Sequence, residues 1–345
     1  MTAPRSVAAA ESRDIRVLYV GAMRILVIGG TRFVGKHLVE QSLERGHDVT
    51  VFHRGTTGAD LFPDVEHRFG DRDDDLSALA SGAWDATVDA CAYVPRQVDA
   101  LADALDGRGG HHLLVSSVSA YATPDGPGVD EDAPLARLAD PSVEEVTGET
   151  YGGLKVRCEE AAVAHHGDST LLVRPTYVIG PDDYTWRFPW WVARIARGGA
   201  IPVPGPQDNP AQVIDARDMG AWMVRLLEDG RAGAFNACGP RIDFTWGEQI
   251  DAIVSAVAPH GTDIEWIDPE VVLDHGLGSM AFPLWVGVEP DRWVMTCDPA
   301  KAVDAGLTFR PLETSVADTL VWTRGSTPPQ GIGLSAEQEQ MLLSS

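Results

Sequence analysis

The stretch RILVIGGTRFVGKH, residues 24–37, decides the fold of this chain. Its first half is an almost unbroken apolar run, as expected of a β-strand that is buried on both faces of a parallel sheet. A glycine-rich turn follows, and then an amphipathic helix that ends at Gly46. A strand, a tight turn and a helix in this order predict the first βα unit of an α/β protein.

Alternating strands and helices continue after this unit. Strands are predicted at 48–53, 66–71, 84–90 and 111–117. This order predicts a Rossmann-like, doubly wound parallel sheet with helices on both faces. Beyond TLLVRPTYVIGP the composition changes to segments rich in tryptophan and proline, which predict a smaller C-terminal substrate-binding region.

The glycine-rich turn comes close to two phosphate-binding motifs. Gly30, Gly35 and Lys36 fit the mononucleotide pattern G-x-x-x-x-G-K-[ST], but His37 stands where a hydroxyl should bind magnesium. The dinucleotide fingerprint G-x-G-x-x-G fits apart from Arg32, which replaces a glycine. Small residues and a helix N-terminus are what a dinucleotide pyrophosphate requires, so we expect a dinucleotide here.

The end of the second strand bears on which dinucleotide binds. It reads VFHRG, with His53 and Arg54 where an NAD site offers a carboxylate to the ribose hydroxyls. A guanidinium instead binds a ribose 2'-phosphate through charge-assisted hydrogen bonds. Arg32, projecting from the glycine turn, would close the other side of that ribose. We therefore favour NADP(H) and keep NAD(H) as the alternative; the opposite interpretation is that both arginines are solvated surface residues.

A candidate catalytic pair lies in ETYGGLKVRCEEAA, where Tyr151 and Lys155 stand four residues apart at the start of a predicted helix. Side chains at this spacing share a helix face. An ammonium beside a phenol lowers the pKa of the phenol from about 10, which favours general acid/base chemistry at a carbinol. Ser117, at the end of the fifth strand, is predicted to orient the substrate oxygen. Ser116 and Ser119 are expected to bond local backbone instead.

Together these motifs resemble the extended short-chain dehydrogenase/reductase superfamily, which includes nucleotide-sugar epimerases and dehydratases. The resemblance rests on GGTRFVG, Ser117, the YGGLK segment from Tyr151 to Lys155, and RPTYVIGPDD, and it extends from Met23 to about Thr323. GGTRFVG in particular is similar to an atypical branch that also contains the chloroplast stem-loop-binding proteins. The resemblance implies an NAD(P)-dependent enzyme with Ser117, Tyr151 and Lys155 as its catalytic triad.

The same resemblance implies a set of cofactor-binding residues. Asp71 and Arg72 would border the adenine, the residues after the fourth strand would line the cofactor, and the segment from Pro175 to Val178 would contact the nicotinamide. The complete expected set is Gly29, Thr31, Arg32, Phe33, Val34, Arg54, Asp71, Arg72, Ala90, Cys91, Ala92, Lys155, Pro175 and Val178.

Two positions depart from the family pattern. Sugar-nucleotide enzymes usually hold the substrate diphosphate with an arginine before the strand VIDARD, but here Ala211 and Gln212 precede it. Thr176 replaces the asparagine that is common in sugar epimerases. A diphosphate-linked sugar is therefore not the expected substrate.

Tryptophans concentrate in the second half of the chain, and most are expected to fill the core of the smaller region. Trp190 and Trp191 are candidate exceptions, because adjacent residues on a helix cannot both face the same way. The candidate substrate residues are Tyr93, Arg187, Trp190 and Trp191.

Composition narrows the class of protein. Acidic residues outnumber basic ones by 51 to 27, for a formal net charge of -24, and no basic run could follow a phosphate backbone. Nucleic acid is therefore not an expected partner. The four cysteines show no C-x-x-C spacing, so neither a metal site nor a disulfide framework is predicted. No apolar run reaches the roughly 20 residues that span a bilayer, and no signal pattern opens the chain, so a cytoplasmic protein is predicted.

Four parts are expected along the chain. Within the third of them, Asp218 is the expected N-cap of a helix. The parts are a disordered extension (1–22), an NAD(P)-binding Rossmann domain (23–175), a mainly substrate-binding region with some segments returning to the main sheet (176–325), and a tail of little periodicity (326–345). The resemblance also implies a homodimer formed through two helices that flank the sheet.

Three functional hypotheses remain open. The first is an NADP-dependent oxidoreductase that moves a hydride to or from a carbonyl or secondary alcohol of a small molecule, with Tyr151 exchanging the proton. The second is an NAD(P)-dependent epimerase or dehydratase of a sugar or sugar nucleotide that retains its cofactor, for which Glu149 or Asp182 could supply a further acid or base. The third is a non-catalytic or RNA-binding protein on the same fold, against which the net charge and the intact Tyr-Lys pair both count.

Overall fold

A computed structural model describes residues 21–287 and 291–344 of the chain, so nearly all of the expected disordered extension lies outside it. The strands are β1 (Arg24–Ile28), β2 (Asp48–His53), β3 (Glu66–Phe69), β4 (Ala86–Asp89), β5 (His111–Val115), β6 (Leu171–Pro175), β7 (Tyr177–Ile179), β8 (Ala200–Pro204), β9 (Val213–Asp215), β10 (Gly233–Ala237) and β11 (Asp263–Ile267). The helices are α1 (Phe33–Glu44), α2 (Pro95–Leu105), α3 (Tyr151–His166), α4 (Arg187–Ala196), α5 (Ala216–Glu228), α6 (Trp246–Val257), α7 (Pro269–Asp274), α8 (Ala300–Asp304), α9 (Leu312–Thr323) and α10 (Ala336–Leu342).

Seven parallel strands form the central sheet, in the order β3-β2-β1-β4-β5-β6-β10. The direction of winding reverses between β1 and β4, which opens a crevice beyond the carboxyl ends of these two strands. The predicted doubly wound α/β fold is thus confirmed. Strand β10, from the second half of the chain, completes one edge of the sheet.

Burial explains why β1 occupies the middle of the sheet. Residues 25–28 are all buried, with β2 on one side and β4 on the other. Helices α1 and α5 pack together on one face of the sheet. They approach closely at Gly220 of α5, where an added Cβ would lie 3.2 Å from the backbone of His37 in α1. This packing fixes the position of the glycine turn that precedes α1.

The smaller C-terminal region contains two parallel strand pairs, β8 with β11 and β7 with β9, packed with helices α4, α6 and α9. Its core is rich in tryptophan. Among the described residues of the second half of the chain, six tryptophans are buried: Trp186, Trp190, Trp191, Trp222, Trp246 and Trp285. Trp222 belongs to the core of the large sheet instead, where it packs edge-on against Phe235. The expectation that most tryptophans fill the core is correct.

Two local features differ from the sequence-based expectations. Asp215, and not Asp218, caps α5, because its carboxylate accepts a hydrogen bond from the backbone N–H of Arg217 at 2.9 Å. Asp218 lies in the first turn and pairs with Arg310 at 2.7 Å.

The C-terminal tail also contains more structure than its weak periodicity suggests. Ser335 caps α10 through a capping box with Gln338. Glu339 in this helix accepts two hydrogen bonds from Arg194 of α4, and this pairing attaches the tail to the C-terminal region.

Within the described ranges, none of the helices combines the length and the apolar character that crossing a membrane would require.

A buried histidine in β5 carries a consequence for acid stability. Both ring nitrogens of His112 lack a hydrogen-bond partner among the described residues, and the ring stacks on His166 with centroids 4.2 Å apart. Burial and the nearby His166 together lower the pKa of His112 to about 3, although Asp89 acts in the opposite direction. The folded protein therefore keeps His112 neutral where the unfolded chain, with a pKa near 6.5, takes up a proton.

We expect the protein to lose stability as the pH falls below about 6.5, because only the unfolded state then binds a proton at His112. One such group changes the unfolding free energy by about 1.4 kcal/mol per pH unit, or about 3 kcal/mol at pH 4. His112→Phe keeps the stacked ring and should flatten this part of the pH profile in urea unfolding. His260→Phe, at an exposed position, should not; an unchanged slope in His112→Phe would contradict the prediction.

Candidate active site

The candidate site is a cavity of about 430 Å³ at the carboxyl edge of the sheet, above the crevice between β1 and β4. Most of the residues that the sequence assigned to the cofactor line it. These are Gly29, Thr31, Arg32, Phe33, Val34, Arg54, Asp71, Arg72, Ala90 and Cys91. Tyr93, a predicted substrate residue, also lines it. The lining does not include the other four expected cofactor residues. Ala92 lies after β4, Lys155 lies in α3, Pro175 is the last residue of β6, and Val178 lies in β7.

Close backbone contacts explain the glycines of the turn. A Cβ on Gly35 would lie 2.2 Å from the carbonyl oxygen of Gly29, so a side chain there would separate α1 from β1. Gly29 itself has φ +86° and faces Cys91, whose sulfur would lie 2.8 Å from an added Cβ. This cradle suits a pyrophosphate, because it lets the ligand approach the backbone.

The first turn of α1 adds a second feature suited to a pyrophosphate. Arg32 at the N-cap position makes no capping hydrogen bond through its side chain, and no acidic residue lies in the first turn. Backbone N–H groups at a helix N-terminus then remain available, and together with the helix dipole they favour an anion. Together with the glycine cradle, this residue arrangement fits a dinucleotide cofactor.

Lys36 takes no part in this phosphate cradle. Its ammonium lies 2.5 Å from a carboxylate oxygen of Asp182, in the loop after β7, and 3.5 Å from Glu40. The lysine of a mononucleotide loop would point at the phosphates instead. The structure therefore favours the dinucleotide interpretation of the glycine turn.

Two arginines line the cavity, Arg32 in the turn between β1 and α1 and Arg54 directly after β2. Arg32 lies with its guanidinium 3.6 Å from the ring centroid of Tyr184, and both side chains line the cavity. Arg54 lines it as well and makes no hydrogen bond or ion pair within the described residues. The sequence did not identify Tyr184, since only the tertiary fold brings it to Arg32.

A chain of two histidines supports the loop that carries Arg54. The Gly55 N–H donates to Nδ1 of His53 at 3.2 Å, so Nε2 of His53 bears the proton and faces Nδ1 of His67 at 2.8 Å. His67 in turn donates through Nε2 to the Phe62 carbonyl at 3.2 Å. Burial and the neighbouring His67 lower the pKa of His53, which keeps this ring neutral. The residue that replaces an NAD-type acid at the end of β2 thus positions the loop.

Arg72 forms a buried ion pair at the edge of the cavity. It lines the cavity, but its guanidinium forms two hydrogen bonds of 2.7 and 2.8 Å with the buried carboxylate of Asp89 at the end of β4. Burial would raise the pKa of Asp89, but the charge and hydrogen bonds of Arg72 outweigh it and lower that pKa. The pair joins the loop after β3 to the end of β4 beside the crevice.

Lys155 is held by backbone at the carboxyl edge of the sheet. Its ammonium donates to the carbonyls of Ala92 and Val115 at 2.8 and 2.7 Å, and lies 5.6 Å from the ring centroid of Tyr93. Tyr151, one turn earlier on α3, is half-buried with its ring centroid 6.5 Å from that of Tyr93. The pair thus faces the region next to the cavity.

Ser117 lies directly after β5, close to the start of α3. Its hydroxyl accepts a hydrogen bond from the Ser119 N–H at 3.1 Å, so its own proton remains available to a substrate oxygen. Gly152 allows this proximity, because a Cβ there would lie 2.1 Å from the Ser119 carbonyl. Contrary to expectation, the Ser116 hydroxyl is buried without a partner among the described residues. The glycine after Tyr151 is thus a signal that the sequence analysis did not use.

The four candidate substrate residues do not line one common site: Tyr93 lines the cavity, and Arg187, Trp190 and Trp191 do not. Arg187, the first residue of α4, lies 5.1 Å from the ring of Tyr177 and donates through Nε to Thr185 at 3.1 Å. Burial and neighbouring tyrosines raise the pKa of Tyr93 to about 12, and the charge of Arg187 acts in the opposite direction.

The structure corrects the expectation that Trp190 and Trp191 contact the substrate. Both are buried in the core of the C-terminal region, edge-on to each other with ring centroids 4.7 Å apart. Gly333 packs directly on the Trp190 indole, and the Trp191 N–H donates to the Pro283 carbonyl. Helix α4 is covered on several sides, so its two faces are both internal and the adjacent tryptophans need no ligand.

Comparison with known proteins agrees with this geometry. Residues 25–238 match the model of the NAD dependent epimerase/dehydratase family. The chain belongs to this family. The resemblance to the extended short-chain dehydrogenase/reductase superfamily is thereby confirmed, and membership supports a nicotinamide dinucleotide as cofactor.

Three similar proteins are informative. The chloroplast stem-loop binding protein of 41 kDa b from Arabidopsis thaliana is 27% identical over 324 residues, covering 84% of this chain and 80% of that protein. The enzyme WbmH of Bordetella bronchiseptica, determined in complex with NAD+, superposes with a TM-score of 0.65 at 17% identity, covering 89% of this chain and all of that chain. A human epimerase family protein, determined with NADPH, gives 0.61 at 21% identity, covering 87% and 99%. The two structures show the shared fold.

The positions at which this family member departs from the expected pattern have structural roles. Gln212 is buried and bonds the backbone of Arg241 and Cys297. Ala211 is buried beside it, and the hydroxyl of Thr176 has no partner within the described residues. Neither Ala211 nor Gln212 supplies a cation to a substrate diphosphate. The described residues also contain no cluster of three or more potential metal ligands.

Proposed function

We propose that this protein is an NADP-dependent oxidoreductase that acts on a carbonyl or secondary alcohol of a small molecule. The observation that carries the proposal is the pair of arginines, Arg32 and Arg54, which both line the cofactor cavity. His53, which also lines it, stands where an NAD site would offer a carboxylate, and a 2'-phosphate would pair with both guanidinium groups.

The residues at the other end of the site support the chemistry. The nicotinamide, when bound, donates or accepts the hydride. Tyr151 would exchange the one proton with the substrate oxygen, and the Ser117 hydroxyl would donate a hydrogen bond to that oxygen while keeping its own proton. Lys155, bonded to two backbone carbonyls, would be held beside the reaction centre. A small-molecule substrate would enter beside Tyr93 and Arg187.

Arg32→Ala and Arg54→Ala should each raise the Kd for NADPH by about 10-fold, because each removes a charge-assisted hydrogen bond to the 2'-phosphate. The Kd for NADH should change by less than about 2-fold, since NADH lacks that phosphate. Nicotinamide fluorescence measures both affinities on the purified protein.

Arg324→Ala is the matched control for these variants, because Arg324 is exposed and does not line the cavity. It should leave both affinities unchanged. Equal affinity of the wild-type protein for NADH and NADPH, together with no effect of either arginine variant, would refute the proposed cofactor.

An epimerase or dehydratase that retains its cofactor is the second candidate, favoured by the family to which the chain belongs. Such a dehydratase needs a further acid or base near Tyr151. Asp182 forms an ion pair with Lys36, and Glu149 is exposed at the surface. These placements favour net redox chemistry over dehydration.

An RNA-binding role is the third candidate, because one relative is named a stem-loop binding protein. The net charge of -24 opposes it, since RNA affinity depends on phosphate neutralisation by cations. Retention on an immobilised RNA stem-loop that weakens steeply with salt would support this role; no retention at low salt is the result we expect.

A further inference from the structure

We propose that Tyr184, contributed by the loop between β7 and α4, is a cofactor-selectivity residue: it holds the Arg32 guanidinium in the position that receives the 2'-phosphate. This inference rests on the NADP preference proposed above. It extends cofactor recognition from the Rossmann half of the chain into the half that follows it.

The contact is a stack of a guanidinium on a phenol ring. The central carbon of the Arg32 guanidinium lies 3.6 Å from the ring centroid of Tyr184, and the tyrosine is 43% exposed, so the pair remains open to the cavity that both residues line. The Arg32 side chain makes no hydrogen bond or ion pair within the described residues. The aromatic stack is therefore the interaction that orients this arginine.

The loop that carries Tyr184 is anchored on both sides of it. On the N-terminal side, Asp182 pairs with Lys36 at 2.5 Å, and the Pro181 carbonyl faces Nε2 of His37 at 3.1 Å. Both partners belong to the first two turns of α1, only four and five residues beyond Arg32. The same helix thus fixes the positions of the arginine and of the loop that covers it.

On the C-terminal side, a buried carboxylate fixes the backbone after the tyrosine. Asp183 is 1% exposed and accepts hydrogen bonds from the backbone N–H and the hydroxyl of Thr185, and from the Phe188 N–H at 3.4 Å. Tyr184 therefore projects from a rigid support into the cavity.

A stacked guanidinium is well suited to binding phosphate. Stacking uses the face of the group and leaves the N–H donors at its edge free for a bidentate contact. It also restricts a long flexible side chain before the ligand arrives, which reduces the entropy lost on binding. NADH lacks the 2'-phosphate, so its binding does not depend on this orientation.

Tyr184→Leu tests the inference. We expect it to raise the Kd for NADPH by about 5-fold, the loss of one cation–π contact, and to change the Kd for NADH by less than about 2-fold. Tyr184→Phe and Tyr184→Trp keep an aromatic face and should retain the wild-type preference. In an Arg32→Ala background, Tyr184→Leu should cause no further loss of NADPH affinity, because the two residues act as one unit.

Circular dichroism and thermal unfolding establish that each variant is folded. An equal loss of affinity for both cofactors, or the same loss with and without Arg32, would overturn the role of Tyr184 while leaving the NADP preference intact. A wild-type protein that binds NADH as tightly as NADPH, unaffected by Arg32→Ala, would instead overturn the proposed cofactor and this inference with it.

Discussion

Replacing Tyr151 with phenylalanine is expected to lower kcat by roughly 10²–10⁴-fold, the contribution of one general acid/base. The variant removes only the hydroxyl, and Lys155 stays bonded to the carbonyls of Ala92 and Val115. The affinity for NADPH should therefore remain at the wild-type value. Single-turnover oxidation of NADPH with a carbonyl substrate found by screening measures the hydride-transfer step, and fluorescence titration measures the affinity.

Tyr93→Phe is the matched comparison, because this phenol lies 6.5 Å away, centroid to centroid, and also borders the site. We expect its kcat to fall by less than about 10-fold, as for the loss of one hydrogen bond to the substrate. Similar losses in the two variants would show that Tyr151 is not the proton-transfer residue.

Arg174→Met is expected to lower the free energy of unfolding by about 3–5 kcal/mol, because it leaves the buried charge of Glu159 without a partner. Glu159 lies on α3 one turn beyond Lys155, and its two oxygens accept hydrogen bonds of 2.9 and 2.6 Å from the guanidinium of Arg174 in β6. Both side chains are about 4% exposed. The guanidinium also donates to the Tyr121 hydroxyl at 3.0 Å, so the pair joins α3 to the sheet.

The double variant Arg174→Met/Glu159→Leu should recover much of this loss, since it removes both charges and replaces them with apolar side chains. Urea unfolding followed by tryptophan fluorescence gives both values. If Arg174→Met lowers the free energy of unfolding by less than about 1 kcal/mol, water reaches the pair, and its contribution equals that of a surface salt bridge.

The sequence predicted the strand, turn and helix of residues 24–44 because the constraint there is local. An apolar strand must be buried, and Gly35 must lie against the Gly29 carbonyl, 2.2 Å from where a Cβ would be. The same local logic placed Arg32 and Arg54 at one cavity, since each follows a strand end whose position the fold class already specifies. The catalytic assignments of Ser117, Tyr151 and Lys155 remain predictions.

Features that depend on distant partners could not be predicted in this way. Tyr184 meets Arg32 only because the loop after β7 docks on α1, a contact between residues about 150 positions apart in the chain. Trp190 and Trp191 have the pattern of a helix with two faces, but both faces are internal. The salt bridge between Arg72 and Asp89 likewise joins the loop after β3 to the end of β4, two segments whose contact the sequence did not predict.

Identification of the nucleotide that the protein binds is the most direct test of the central claim. Purified protein, stripped by gel filtration, would be titrated with NADPH and NADH, and any nucleotide that remains would be released by denaturation and identified by mass spectrometry. We expect the purified protein to be free of bound nucleotide, to bind NADPH more tightly than NADH and to release it readily. Stoichiometric NAD(H) that survives gel filtration would contradict it and would favour an epimerase or dehydratase that keeps its cofactor.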